Sequence, residues 1–362
     1  MDEPRALELP AGTDILPDAR IDWKAKGGMS MKQILISGLA SLLAILLLPC
    51  GLLPCGARRE APQARDIVIL HELALPAADE QPESAPASPE EKVCLLTGDT
   101  IETLPLSAYL TGVVLSEMPP EFAPEALKAQ AVAARTFTQK RRQSAKHEHA
   151  DVCADSACCQ AWSSEAALRE RFGADYDTYA EKARAAVEAT RGEVLLYDGV
   201  LIDATYFSCS GGRTEDAAAV WGAEVPYLQS VKSYGEENAL RYASEKRFTP
   251  EALRAALGGA VLTGSPSAWF SDETYTEGGG VNTMKIGQTC YTGTELRRLL
   301  GLNSTCFRVS ADEDGVTFHV LGYGHRVGMS QYGADYMARQ GYDYRAILQY
   351  YYRGAELKKT DK

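Results

Sequence analysis

The chain has 362 residues, enough for roughly two ordinary domains or for one large domain with appendages. Its apolar content is ordinary, so it can bury a core. Its formal net charge of -12 argues against nucleic acid as the main partner, because phosphate binding needs a basic surface.

Taken in chain order, the first 28 residues are acidic and proline-containing and unlike a targeting segment. The sequence from Met29 is an ordinary membrane-targeting start, which points to a misassigned start codon. Residues 33–57, QILISGLASLLAILLLPCGLLPCGA, carry no Asp, Glu, Lys or Arg. About 20 apolar residues cross a bilayer, so a single transmembrane helix fits. Lys24, Lys26 and Lys32 before the run favour an N-in orientation, although Arg58 and Arg59 after it weaken the bias. A signal-anchor is favoured over a cleaved signal peptide, and both leave the bulk of the chain outside the cytoplasm. The LLPCG repeat is a poor lipid-attachment pattern, since proline directly precedes the cysteine. This divides the chain into a cytoplasmic N-terminus (1–32), an anchor (33–57), an Ala/Pro/Glu-rich linker too poor in apolar residues to order itself (58–91), and an extracytoplasmic domain (92–357).

Within that domain, short strands and turns lead into a brief helical turn over residues 106–114, and VVL before Glu117 looks strand-like. Pro124 suits a first helical position, and the following PEALKAQAVAARTFTQKRR predicts a long helix with the small face Leu127, Ala131, Ala134 and Thr138. A second helix is expected over 175–190, stopped by Gly192. Asp198-Gly199 between alternating apolar runs predicts a hairpin. Strands are expected over 283–286 and 316–321 and a helix over 294–300. The fold class is α+β: mixed helices and antiparallel strands around a cleft.

Three segments and one acid carry chemistry. HEHADVCADSACCQAW gathers His147, His149, Cys153, Cys158 and Cys159, the ligand types Zn²⁺ prefers, with a disulfide as the rival explanation. On these residues alone His147 and His149 are equal candidates. GYGHRVGMSQYGADYMARQGYDYRAILQYYYRGAEL places His325, Ser330 and Gln331 among four glycines, Gly322, Gly324, Gly328 and Gly333, with tyrosines suited to sugars. YFSCSGGRT supplies Tyr206, Ser208, Ser210 and Gly211; its equally plain explanation is a tight turn with exposed serines. Cys209 has nothing nearby to make it a thiolate. Glu117 alone reads as a solvated or helix-dipole carboxylate, but Leu115, Met118 and Pro119 beside it would raise its pKa and make it a general acid.

Together, LPLSAYLTGVVLSEMPPEFAPEALKAQAVAARTF, SCSGGRT, VWG, PYL, TGTELRRLLGLNSTCF and GHRVGMSQYGADYMA, in this order over residues 93–356, resemble the family of stage II sporulation protein D and the related amidase enhancers. The resemblance implies a membrane-anchored lytic transglycosylase that cuts MurNAc–GlcNAc bonds of glycan stripped of stem peptides during forespore engulfment. It implies a mother-cell membrane location facing the intermembrane space, and assembly with stage II sporulation proteins M and P. It makes Glu117 catalytic and Tyr206, Ser208, Ser210, Gly211, His325, Ser330 and Gln331 substrate-binding candidates. Similarity to clostridial members implies a structural zinc on His147, Cys153, Cys158 and Cys159, with Cys158 where histidine is expected. Arg326 departs from the family's Gly-His-Gly pattern: it is strained if φ is positive there, or meets the muramyl lactyl carboxylate if it lines the cleft. Competing functions are a non-catalytic amidase enhancer or scaffold, and a two-carboxylate hydrolase with Glu121 or Asp203 as second acid.

Overall fold

The structure, a computed structural model, describes residues 91–360. The apolar run 33–57 lies outside these residues, and among the described residues no helix is long and apolar enough to cross a membrane.

Strands β1 (Lys92–Thr97) and β2 (Thr100–Pro105) form an antiparallel hairpin that feeds helix α1 (Leu106–Glu117). The strand-like VVL is therefore helical, and the expected brief turn runs on to Glu117. A segment apolar on every side is a buried helix, and this one buries residues from Leu106 to Leu115 around most of its circumference. Met118 is extended, and Pro119 and Pro120 have no N–H to continue the ladder, so α1 stops at its acid. Helix α2 (Pro124–Gln143) restarts on proline; Ala123 N–H, at its N-cap, donates to Asp335 Oδ1 at 2.7 Å. Its buried alanines let neighbouring helices approach closely.

Strand β3 (Val152–Cys153) lies parallel to β1, and helices α3 (Glu165–Phe172) and α4 (Tyr176–Ala189) pack beside α1. Strands β4 (Glu193–Tyr197) and β5 (Val200–Leu201) form the expected hairpin. Asp198 and Gly199 turn it with φ of 49° and 76°, the left-handed pair that an Asp-Gly hairpin needs. There follow β6 (Tyr206–Phe207), α5 (Ala217–Trp221), β7 (Ala243–Phe248), α6 (Pro250–Ala256), β8 (Phe270–Tyr275), β9 (Val281–Ile286) and β10 (Thr289–Thr292). Helix α7 (Gly293–Leu300) starts on a Thr292/Glu295 capping box and ends at Gly301 in the left-handed region. The chain finishes with β11 (Cys306–Asp312), β12 (Gly315–Leu321), β13 (Met329–Ser330), α8 (Gln331–Arg339), α9 (Tyr344–Tyr351) and β14 (Glu356–Lys359).

Two hydrophobic cores result. The larger joins α1, α2, α4, α8 and α9 through residues such as Tyr109, Leu127 and Ile347. The smaller lies among β7, β9, β11, β12, α6 and α7, around Met284, Leu296 and Phe318. Sheets β11-β12-β7 and β10-β9-β8 are wholly antiparallel, so the mixed α+β class is as expected. One short parallel pairing positions the site: β6 against β13 aligns Tyr206 with Met329 and Phe207 with Ser330, bringing two distant glycine-rich segments together.

Candidate active site

A cavity of about 830 Å³ opens between elements of the two cores. Glu117, the last residue of α1, faces it together with Gln160, Tyr206, Ser208, His325 and Gln331. Glu117 Oε1 accepts a hydrogen bond from Ala161 N–H at 2.6 Å, and Gln331 Nε2 donates to Oε2 at 3.4 Å. Burial raises its pKa above the usual carboxylate value; the bonds from Ala161, Gln331 and Tyr206 oppose that shift without cancelling it. The turn after the acid is pinned by Lys182, whose Nζ donates to the carbonyls of Pro120 (2.8 Å) and Phe122 (2.5 Å). Glu121 is exposed and takes a bond from Tyr179, and neither it nor Asp203 lines the cavity.

A buried amide organises the wall behind Glu117. Gln160 Nε2 donates to Tyr109 Oη (3.0 Å) and Thr138 Oγ1 (3.2 Å), while its Oε1 accepts from Tyr206 Oη at 2.8 Å. Sequence reasoning missed Gln160. Its only signal was its place directly after the paired cysteines.

The serine and glycine candidates divide into two groups. Ser208 and Gln331 line the cavity. Ser210 and Ser330 are fully buried, and with Gly211 they surround the Glu236 carboxylate. Ser210 N–H and Oγ–H donate to Glu236 Oε2 at 2.9 and 2.7 Å, Gly211 N–H donates at 3.0 Å, and Ser330 Oγ donates to Oε1. These three are a scaffold that holds the loops, and no sequence pattern singled out Glu236. His325 does line the cavity, its ring edge-on to Phe207 and tilted against Trp221. Val327 N–H donates to Nδ1 at 3.1 Å, so that nitrogen is unprotonated. Burial, with the Arg297 charge nearby, lowers the His325 pKa to about 4. Cys209 is buried and its thiol is pushed up to about 11, which keeps it protonated and unreactive.

Arg326 has φ of 67°, the positive value the departing glycine suggested. Its side chain does not reach the cleft. It is fully buried, pairs with the buried Glu215 at 2.8 Å, and donates to the carbonyls of Ser210 (2.6 Å), Arg213 (2.8 Å) and Gly278 (2.5 Å). The guanidinium therefore staples the loop after β6 to the β8–β9 turn, and the lactyl-carboxylate role falls away.

Next to the cleft, His147, Cys153, Cys158 and Cys159 bring one ligand atom each to within 4.8 Å of one another. His147 Nε2 is 3.5 Å from Cys158 Sγ and 3.4 Å from Cys159 Sγ. Bond lengths of about 2.3 Å to sulfur and 2.0–2.1 Å to nitrogen put such ligands about 3.6 Å apart around a tetrahedral Zn²⁺, so the donor set fits that ion. His149 is outside the cluster; its exposed ring lies 3.4 Å from Glu148. No disulfide joins any of the described cysteines.

Fold and site thus define a mixed α+β protein with a one-carboxylate cleft and a His/Cys₃ cluster on the loop that holds the acid. A family model described as "Stage II sporulation protein" matches residues 97–197, which include both Glu117 and the cluster. The chain is 39% identical over 265 residues to stage II sporulation protein D of Bacillus subtilis (strain 168), covering 72% of this chain and 77% of that one. It is 35% identical over 342 residues to stage II sporulation protein D of Bacillus amyloliquefaciens, covering 91% and 97%. An amidase enhancer of Bacillus subtilis (strain 168) is 29% identical over 300 residues, covering 68% of this chain and 40% of the relative. The chain belongs to the stage II sporulation protein D family.

Proposed function

We propose that this chain is a sporulation lytic transglycosylase, anchored by residues 33–57, that cleaves MurNAc–GlcNAc bonds in stripped peptidoglycan and leaves 1,6-anhydromuramyl ends. The observation that carries the proposal is Glu117: it is the one carboxylate among the residues lining the cleft, and burial favours its protonated form. Protonated Glu117 gives its proton to the glycosidic oxygen as the C1–O bond breaks. The carboxylate formed then removes the proton from the muramyl C6 hydroxyl, whose oxygen closes on C1. One group serves as acid and then base, so no second carboxylate is needed to activate water, unlike the paired acids of hydrolases. Ala161 N–H and Gln331 hold the carboxyl during this exchange.

His147, Cys153, Cys158 and Cys159 would hold a structural zinc. Four protein ligands leave no open position for water, so the ion would contribute folding free energy and no chemistry to the cleft. The loop it ties down carries Gln160 and Ala161.

Mass spectrometry of stripped glycan after incubation with the protein tests the proposal. Anhydromuramyl products are expected. Reducing ends would point to a hydrolase, and intact glycan together with stimulation of an amidase would favour the scaffold function of the amidase enhancer relative.

A further inference from the structure

The cleft has the opposite charge from the chain. The protein carries a formal net charge of -12, yet the residues lining this cavity include one carboxylate, Glu117, and three arginines, Arg171, Arg241 and Arg297. A neutral sugar gives no reason for such an excess, and isolated cations on a protein rich in carboxylates ordinarily find partners.

Arg297 is the clearest case. It projects from α7, is partly buried, and its guanidinium makes no ion pair or hydrogen bond with a described residue. Burial lowers its pKa, the mark of a cation losing water without gaining a counterion. Its charge is felt at His325 and at Tyr323, so it faces the cleft wall. Arg241 converges on the same place, its guanidinium carbon 4.6 Å from the Tyr323 ring centroid. Stacking on the ring holds the guanidinium plane and leaves its N–H edge for a ligand. Keeping an unpaired charge partly out of water is unfavourable unless a ligand supplies the opposite charge.

We propose that Arg241 and Arg297 form an anion subsite that takes the free lactyl carboxylate of an unsubstituted muramic acid residue beside the bond cut at Glu117. This rests on the transglycosylase function proposed above. In an unsubstituted wall glycan, the lactyl group is where a carboxylate is found; once a stem peptide is attached, that carboxyl is a neutral amide. A planar guanidinium matches a carboxylate with two parallel N–H···O bonds, which an amide accepts only in part. The subsite therefore gives the cleft a physical basis for favouring stripped strands.

The test is equilibrium binding, by calorimetry, to the full chain carrying Glu117→Gln so that ligand persists. Three ligands of equal length are compared: stripped MurNAc–GlcNAc oligosaccharide, the same oligosaccharide with its lactyl carboxyls amidated, and chito-oligosaccharide. The acidic form is expected to bind about tenfold more tightly than either neutral form, a difference of about 1.4 kcal/mol. Adding Arg297→Gln should bring the acidic form down to the neutral level and leave the neutral affinities unchanged, and Arg297→Lys should recover part of the difference. Equal affinity for all three ligands, or a loss in Arg297→Gln that is the same for acidic and neutral glycan, overturns the subsite and leaves the transglycosylase function standing. Absence of binding to any of the glycans overturns both.

Discussion

Replacing Gln160 by leucine removes a buried amide of similar size and breaks three hydrogen bonds, to Tyr109, Thr138 and Tyr206. At a net 0.5–1.5 kcal/mol each, the loss is about 1.5–4.5 kcal/mol. Thr138 keeps its bond to the Ala134 carbonyl at 2.8 Å, so most of the effect falls on the two tyrosines. For a domain of this size each kcal/mol lowers the melting temperature by about 2–4 °C, so a mid-range loss of ~3 kcal/mol corresponds to roughly 6–12 °C. A second effect is chemical. The Tyr206 hydroxyl, which Gln160 Oε1 and Glu117 share, then serves Glu117 alone, which strengthens the bond that favours the charged form and brings the acid's pKa down. Turnover needs the protonated acid, so the alkaline limb of the pH–rate profile should move to lower pH. Circular-dichroism melting and anhydromuramyl release measured across pH give both readouts. A melt within about 2 °C of wild type together with an unmoved alkaline limb would refute the role assigned to Gln160.

Cys153→Ser should lower bound zinc and melting temperature together, by metal analysis and calorimetry; loss of all metal with an unchanged melt would remove the structural role. Arg326→Gln leaves Glu215 buried without its cation and should cost about 3–5 kcal/mol in denaturant unfolding, and a midpoint like wild type would contradict the staple. Glu117 has a folded pKa above its unfolded value, so its proton stabilises the fold fully below the unfolded value of about 4.3, and this contribution is lost as pH rises through the folded value. Glu117→Gln should therefore gain stability relative to wild type as pH rises from about 4 to 8, and parallel stability curves would show that the carboxyl is not strained by burial.

The elements legible in the sequence were those set by local chemistry. Pro124 at a first helical turn and the Asp198-Gly199 hairpin need no distant partner, and each is where its pattern placed it. The strand-like VVL before Glu117 misled because a helix buried on all sides loses its amphipathic period. The final glycine-rich segment was read for its loops, and α8 and α9 within it went unseen. In the site, the His/Cys cluster could be found from its ligand types and their crowding, whereas Glu117 alone reads as a solvated carboxylate and stands out through its apolar neighbours and the family resemblance. The residues alone leave His147 and His149 equal; the family resemblance selects His147, and it is His147 that the fold brings into the cluster. Ser210 and Ser330 looked like ligands for a sugar because the sequence does not show that Glu236, from a separate loop, already occupies them. The cleft-lining alternative for Arg326 failed for the same reason, since its partner Glu215 is 111 positions away, while the positive-φ alternative is the one found.

The most direct test of the central claim is turnover of stripped glycan by Glu117→Gln, read as anhydromuramyl product per unit time. Glutamine keeps the acceptor for Ala161 N–H but carries no transferable proton, so turnover should fall at least about 10²-fold while glycan binding persists, and Glu121→Gln should lose much less. Near-wild-type turnover by Glu117→Gln would contradict the assignment, and equal losses at Glu117 and Glu121 would point instead to a two-carboxylate hydrolase.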